Sequence, residues 1–437
     1  MFTFKLLKIL KTMAAKKNQT QRTSDRILTL PGLNTPGNKI EGVQFAGYIS
    51  VKGNNPKEDP DSKLFYWFAG TDDYKNRPTV IWSNGGPGST SFWGFFTENG
   101  PFNVEYPNNG DEPLVTMRKN SWTNKVNYLM FEHPLSVTIS FAPDKDVPKS
   151  VEQGMHQYYN ALNHFLDLHP EIREQPIFLA GESYAGTYLP LLAKNILQGN
   201  LTLPKEKQIN LIGTVLVDAW VDPYVQMEQD TNYYHSHGMI TAYQKEVLDR
   251  TVKVTDMANT VQGMTNMYMA NTAALGDPPM DPVLKYLNNN EFRAIVGAPP
   301  TTKENTVTSD WSAVVGANYT PEANKSFRWL VNELIDGDSN KNAGQHPVIV
   351  ISGLNDAKDC NFLGTEAWLN KLEGPTASAF KLAPTVLWQT KDKTPVTIGF
   401  DQNGGILTWL KVLNAGHLAV MDQPLIIDFI MERLGLK

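Results

Sequence analysis

Phe178-Leu-Ala-Gly181-Glu182-Ser183-Tyr184-Ala185-Gly186 is a short apolar run leading into Gly-x-Ser-x-Gly, and helix-forming residues follow from Tyr188 to Leu197. A serine in such a stretch sits on a sharp strand-to-helix turn, and the flanking glycines let neighbouring backbone pass close to it. Its hydroxyl is lifted off the sheet edge, in the position of a nucleophile. The amide of Tyr184, at the start of the following helix, is placed to bind an oxyanion. The motif alone is a weak signal, because a Gly/Ser-rich turn uses the same letters. The strand before it and the helix after it favour a functional elbow.

A serine nucleophile needs a base to take its proton and a third group to orient that base. Two later segments supply candidates. Pro347-Val-Ile-Val-Ile-Ser352 reads as a buried strand and runs into Gly353-Leu354-Asn355-Asp356. Gly404-Ile-Leu-Thr-Trp-Leu-Lys-Val-Leu413 reads as another and runs into Asn414-Ala415-Gly416-His417. Acid and base each lie just past a strand's C-terminal end, where open α/β sheets build their sites. The order Ser183, Asp356, His417 is the order of an α/β-hydrolase triad. Asp359 shares the loop with Asp356 and is the alternative acid. His346 precedes its strand, at the wrong end, and His235 and His237 fall in a different region. Pro78-Thr-Val-Ile-Trp-Ser83 is a further buried strand, ending in Asn84-Gly85-Gly86-Pro87-Gly88. This loop is placed to give a second oxyanion amide, from Gly86. No Gly-Lys-Ser/Thr follows it, which argues against a phosphate-binding loop.

Taken in order, residues 1–24 read as a solvated basic tail. Residues 25–219 form the first part of an α/β domain, opening with an antiparallel hairpin over Val43–Val51 and Lys63–Phe68. Val151 to Leu168 has helical spacing and is stopped by His169-Pro170. From Trp220 to Asp336 the chain turns polar and rich in Met, Asn and Tyr, without strand patterning. Residues 220–336 are therefore expected to be a largely helical cap inserted over the site. Residues 337–437 complete the α/β domain and end in a helix from about Pro424 to Leu434. Strands alternating with helices predict a mostly parallel central sheet flanked by helices, the α/β-hydrolase fold.

Composition is that of an ordinary globular protein, and 437 residues, 41% hydrophobic and 19% charged, fit one α/β domain with an insertion as well as two domains. The 39 basic and 45 acidic residues give a net charge of −6, and no block of like charge points to nucleic acid or an anionic membrane. No apolar run reaches the eighteen or so residues of a membrane span. The N-terminal apolar stretch is interrupted by lysines and makes a poor signal peptide. A single cysteine, Cys360, excludes an intrachain disulfide. It weakens the case for an extracellular setting without removing it.

With these residues together, the chain resembles the serine carboxypeptidases from about Asp25 to Leu434, the cap least of all. Trp82-Ser-Asn-Gly-Gly-Pro-Gly-Ser89 is similar to the family's W-x-N-G-G-P-G-C/S, and Phe95-Phe-Thr-Glu98-Asn-Gly-Pro101 to its F-x-E-x-G-P. Gly181-Glu-Ser-Tyr-Ala-Gly186 matches its G-E-S-Y-A-G. Gly353 to Gly364 resembles G-x-x-D-x-x-C-N-x-x-G, and Ala415-Gly-His417 with Met421-Asp-Gln-Pro424 resembles the closing A-G-H and D-x-P. The resemblance implies release of C-terminal residues from peptides through an acyl-enzyme on Ser183. His417 would be the general acid/base, Asp356 the orienting acid, and the Gly86 and Tyr184 amides the oxyanion hole. It also implies that the substrate's terminal carboxylate is held by Trp82, Asn84, Gly85, Glu98 and Glu182. Two adjacent carboxyl groups do not both ionise cheaply, so one keeps a proton to donate, and peptide hydrolysis should favour acidic pH. No metal or organic cofactor is required. The usual setting of the family is vacuolar, lysosomal or secreted, whereas the lone cysteine leaves a cytosolic one open.

The departures are specific. Three residues separate Asp356 from Cys360 where two are usual, so counting back from Cys360 selects Ala357, which has no carboxylate. Ser89 stands where a disulfide-bonded cysteine is common. Glu132-His-Pro134 replaces D-x-P, Thr138 replaces a nearby glycine, and the usual G-N-G reads Asp218-Ala219-Trp220. These bear on subsite shape more than on the reaction. An acyltransferase of the same family, a generic esterase and a non-catalytic relative are the alternatives. The intact triad argues against the last, and the Asn84, Glu98 and Glu182 set against an esterase.

Overall fold

The computed structural model describes residues 25–437 apart from 53–61, 108–109, 275, 277, 338–344, 359 and 392, so the expected basic tail lies outside the described residues. Apolar runs make the strands: β1 (Arg26–Thr29), β2 (Lys39–Ser50), β3 (Lys63–Gly70), β4 (Thr79–Ser83), β5 (Phe102–Glu105), β6 (Leu114–Met117), β7 (Asn127–Glu132), β8 (Ile177–Ser183), β9 (Leu211–Ala219), β10 (Val348–Gly353), β11 (Thr385–Gln389), β12 (Thr397–Asn403) and β13 (Leu407–Val412). Eleven of them form one sheet in the order β1-β2-β3-β7-β4-β8-β9-β10-β13-β12-β11, and β5 pairs with β6. The centre, β7-β4-β8-β9-β10-β13, is parallel throughout. Both margins are antiparallel hairpin-type pairings. The architecture is the α/β-hydrolase one.

Central strands are apolar on both faces, and each face feeds its own core. Ile81, Leu129, Leu179, Leu216 and Val350 point to one, Val80, Met130, Phe178, Val217 and Ile349 to the other. The helix Val151–Leu168 covers the first face. Ser150 Oγ accepts from Gln153 N at 3.2 Å and caps it, an arrangement worth about 1 kcal/mol. Its ten buried residues recur at helical spacing. The last helix, Ile426–Arg433, buries Ile426, Ile427, Phe429, Ile430 and Met431 against the second face.

Several strands expected from the sequence are shorter or shifted by a residue or more, and β1, β5, β6, β11 and β12 carry no clear strand pattern in the sequence. The strand read from Gly404 starts at Leu407, because Gly405 takes φ +91° in the turn that precedes it. Between β9 and β10 the described residues hold helices only, beginning with Pro223–Met227 and ending with Arg328–Asp336. Tyr233, Tyr234, Ile240, Leu248, Met257, Val261 and Met269 form a small core of this region, joined by Ala357 from the loop after β10. The helix Arg328–Asp336 instead buries Leu330, Val331, Leu334 and Ile335 in the main core. No helix among the described residues is long and apolar enough to cross a membrane.

Candidate active site

Ser183 ends β8 with φ +60°. A non-glycine residue held there stores of the order of 1–3 kcal/mol, and the packing on either side enforces it. A Cβ at Gly181 would fall 2.3 Å from Ser83 O, and one at Gly186 would fall 2.7 Å from Ala219 Cβ. The helix Ala185–Thr202 starts directly after Tyr184, its N-cap. Ser183 borders a cavity together with Asn84, Gly85, Gly86, Glu182 and His417. Gly86 and Tyr184 also border a second cavity that meets the first at Ser183.

His417 and Asp356 come together from separate loops. His417 Nδ1 lies 2.7 Å from Asp356 Oδ2, with the acid fully buried. Lys358 N donates to the other oxygen, Asp356 Oδ1, at 3.0 Å. The carboxylate is therefore held on both sides, and the ring nitrogen facing it carries the proton while Nε2 is left to act as base. Asp359 lies outside the described residues. Cys360 is buried beside the pair, with one ligand-type atom of Asp356, Cys360 and His417 each within 4.8 Å of the others.

Two further carboxylates, which the motif matches did not explain, brace these loops. Asp422 Oδ2 accepts from Gly416 N at 2.8 Å and from Asn271 Nδ2 at 2.9 Å, locking the turn before His417. Asp218 Oδ1 accepts from Gly353 N at 2.8 Å, at the start of the turn that presents Asp356. Burial, and then the charge of Asp356, push the Asp218 carboxyl well above the usual range, so it is held neutral beside Asp356. The departure from G-N-G at this point thus places an uncharged acid where a second negative charge would disturb Asp356.

The remaining expected residues form one buried network. Asn84 Nδ2 donates to Glu98 Oε1 at 3.0 Å and to Glu182 Oε1 at 2.8 Å. Asn84 Oδ1 in turn accepts from Trp82 Nε1 at 2.8 Å and from Gly94 N at 3.1 Å. All four polar valences of one amide are used, which fixes its orientation. Trp82 is wholly buried behind Asn84 and orients it rather than facing the cavity. Burial is the largest cause raising both carboxyl groups. For Glu182 the charge of Glu98 and a hydrogen bond to it add to the rise, while for Glu98 the same bond and Asn84 pull back down. Both carboxyl groups are thus pushed up together, Glu182 well above the usual range, so the pair favours holding a proton rather than two charges.

Glu132 supports the network from behind. Its Oε1 accepts from Ser91 N at 2.7 Å and its Oε2 from Thr90 Oγ1 at 2.7 Å and from Thr138 Oγ1. Ser91 Oγ accepts from Asn84 N at 3.3 Å. Glu132 and Thr138 are the two sequence departures noted near this position, and they bond to each other. Sequence reasoning saw each as a change of subsite shape and did not see the pair. From the insertion, Thr90 N donates to Asp310 O at 2.8 Å, Ser312 N to Gly88 O at 2.9 Å, and Trp311 Nε1 to Pro87 O at 2.7 Å, so residues 310–312 clamp the glycine loop.

The family described as serine carboxypeptidase matches residues 31–277 and 262–434. A pheromone-processing carboxypeptidase KEX1 of Phytophthora infestans is 27% identical over 95% of this chain and 72% of its own length. Serine carboxypeptidase S10 family member 1 of Dictyostelium discoideum is 26% identical over 89% of this chain and 92% of its own. Among solved structures, that of KEX1(delta)p, a prohormone-processing carboxypeptidase from Saccharomyces cerevisiae, superposes with a TM-score of 0.77 at 20% identity. It covers 95% of this chain and 96% of the other, and at that identity it speaks to the fold. The chain belongs to the serine carboxypeptidase family and is a serine-type carboxypeptidase, a hydrolase of the α/β-hydrolase fold.

Proposed function

We propose that the enzyme removes the C-terminal residue of peptides by acyl transfer to Ser183, with acidic pH favoured. His417 Nε2 takes the Ser183 proton as Oγ attacks the scissile carbonyl, and returns it to the departing amine. Asp356 keeps the ring in the reactive tautomer and stabilises the imidazolium. The amides of Gly86 and Tyr184 bind the oxyanion. Water then repeats the sequence on the acyl-enzyme. Residues 220–336 act as a cap that walls the cavity.

The single observation that carries this reading is the Asn84-bridged Glu98–Glu182 pair, whose Asn84 and Glu182 line the same cavity as Ser183 and His417 while Glu98 backs them. An esterase has no use for a buried acid pair sharing a proton. A substrate carboxylate does, because a protonated carboxyl can donate to it while an ionised pair repels it.

The test is hydrolysis of an N-blocked dipeptide and of its C-terminal amide across the acidic to neutral range, with Ser183→Ala in parallel. The free acid should be cleaved best at acidic pH, the amide should gain relative to it as pH rises, and Ser183→Ala should be inactive. Cleavage of small esters alone would overturn the carboxylate-binding role and turn attention to acyl transfer onto other acceptors.

A further inference from the structure

The two cavities that meet at Ser183 differ in lining. One adds Tyr184, Trp220 and Met227 to the shared Gly86, and on the proposed function this more apolar space takes the acyl part of the substrate. The other contains Asn84 and Glu182, so the residue to be released lies there. Its side chain shares that space with Trp93, Trp311, Leu418 and Lys358.

Lys358 is the feature without an assigned role. Its backbone is fixed, because its amide donates to Asp356 Oδ1 at 3.0 Å and the preceding Ala357 is packed in the insertion's core. Its side chain is exposed and borders the cavity. Glu182, the acid on that wall, is engaged with Asn84, and the buried acids behind it are engaged as well, Glu98 with Asn84 and Asp356 with His417. No ion pair among the described residues involves Lys358. The indole N–H groups of Trp93 and Trp311 are also taken, by Asp310 Oδ2 at 2.9 Å and Pro87 O at 2.7 Å, so both rings offer the cavity apolar surface. A side chain placed here meets apolar walls and one unmatched cation.

We infer that Lys358 makes the enzyme select an acidic terminal residue, glutamate or aspartate, and discriminate against lysine and arginine. The methylenes of a glutamate would lie along the two indoles and its carboxylate would reach the ammonium. A terminal lysine would bring like charges together. This selection rests on the proposed binding of the terminal carboxylate by Asn84, Glu98 and Glu182, which decides which cavity holds the leaving residue.

The experiment is kcat/KM on N-blocked Phe-X dipeptides with X as Glu, Gln, Leu or Lys, at about pH 6, where a glutamate side chain is ionised. A half-exposed ion pair supports roughly three- to fivefold preference for Glu over its neutral isostere Gln, and about tenfold or more for Glu over Lys. High salt should shrink both ratios. Lys358→Gln should bring the Glu/Gln ratio to about one, and Lys358→Glu should reverse the order of Glu and Lys. Wild-type ratios near one, or ratios unchanged in the variants, would overturn the inference. So would an equal loss on all four substrates, which would mean that Lys358 attracts the main-chain carboxylate instead. If no dipeptide is cleaved while a small ester is, the inference falls together with the carboxylate-binding reading, and the ester result identifies that reading as the cause.

Discussion

Glu132 ends a central strand, wholly buried, with three donors around its carboxyl group. Those donors favour the ionised form, yet burial outweighs them and pushes the group from 4.5 to about 7. Because the folded value lies above the unfolded one, the folded state holds the extra proton. Stability from this group is complete below about pH 4.5 and is lost as pH climbs through about 7. At about 1.4 kcal/mol per pH unit, the rise corresponds to roughly 3 kcal/mol by mildly alkaline pH. Glu132→Gln cannot titrate. It loses some of the accepted hydrogen bonds, but that penalty does not vary with pH. Relative to wild type, the variant should therefore gain about 3 kcal/mol on going from pH 4.5 to pH 8. Urea unfolding of both proteins over a pH series measures this difference directly, and other titrating groups cancel in the comparison. A difference that stays flat across the range would refute the assignment of a buried, proton-holding Glu132. The sign agrees with an enzyme suited to acidic conditions, since the Asn84 loop hangs from this carboxyl through Ser91.

Its neighbour should behave in the opposite sense: burial alone lowers His133 from 6.5 to about 3, between the rings of Tyr158 and Tyr188. The folded state excludes a proton that the unfolded chain binds below about 6.5, so His133→Phe should gain roughly 3 kcal/mol relative to wild type between pH 7 and pH 4 in the same assay, and no gain would contradict the neutral ring. Glu182→Gln puts a permanent donor where wild type depends on a proton. Free-acid cleavage by wild type should fall by about tenfold per pH unit above the titration of the pair, the variant should show a flatter profile, and parallel profiles would sink the shared-proton account. Asp356→Asn should fold normally yet lose on the order of 10⁴ in kcat, because the amide would hold the wrong His417 tautomer; a loss below about tenfold would point to another acid in that loop.

What could be read in the sequence was whatever had a local signature. The helix over 151–168 has unbroken apolar spacing and a Pro stop, and its ends were read to the residue. The elbow, the Asn84 loop and the His417 loop each follow a strand that is apolar on both faces. By contrast β12 reverses the usual pattern, with Phe400 partly exposed and Asp401 buried against Arg433. In β11, Val386 and Leu387 face outward at the sheet margin. Neither alternation signals which face is inside. The roles of Asp218 and Glu132, which stand at departures from the family motifs, and of Lys358 could not be read, because they come from partners six to 135 positions away along the chain, or from a shared cavity, that only the assembled fold creates. The contact of residues 310–312 with the glycine loop belongs to the same class.

The insertion does more than overhang the cavity. Ala357 N donates to Met269 O at 2.9 Å, Thr272 N to Asn355 O at 3.0 Å, and His417 N to Ala270 O at 2.7 Å, so one short stretch of it is stitched to both the Asp356 loop and the His417 loop. It is therefore no interchangeable cassette. A chimaera that took this region from a relative to alter substrate choice would also reset the spacing of Asp356 and His417. In this chain the evolution of selectivity and the evolution of turnover are bound to the same few peptide groups, and changes at 269–272 should surface in kcat as readily as in KM.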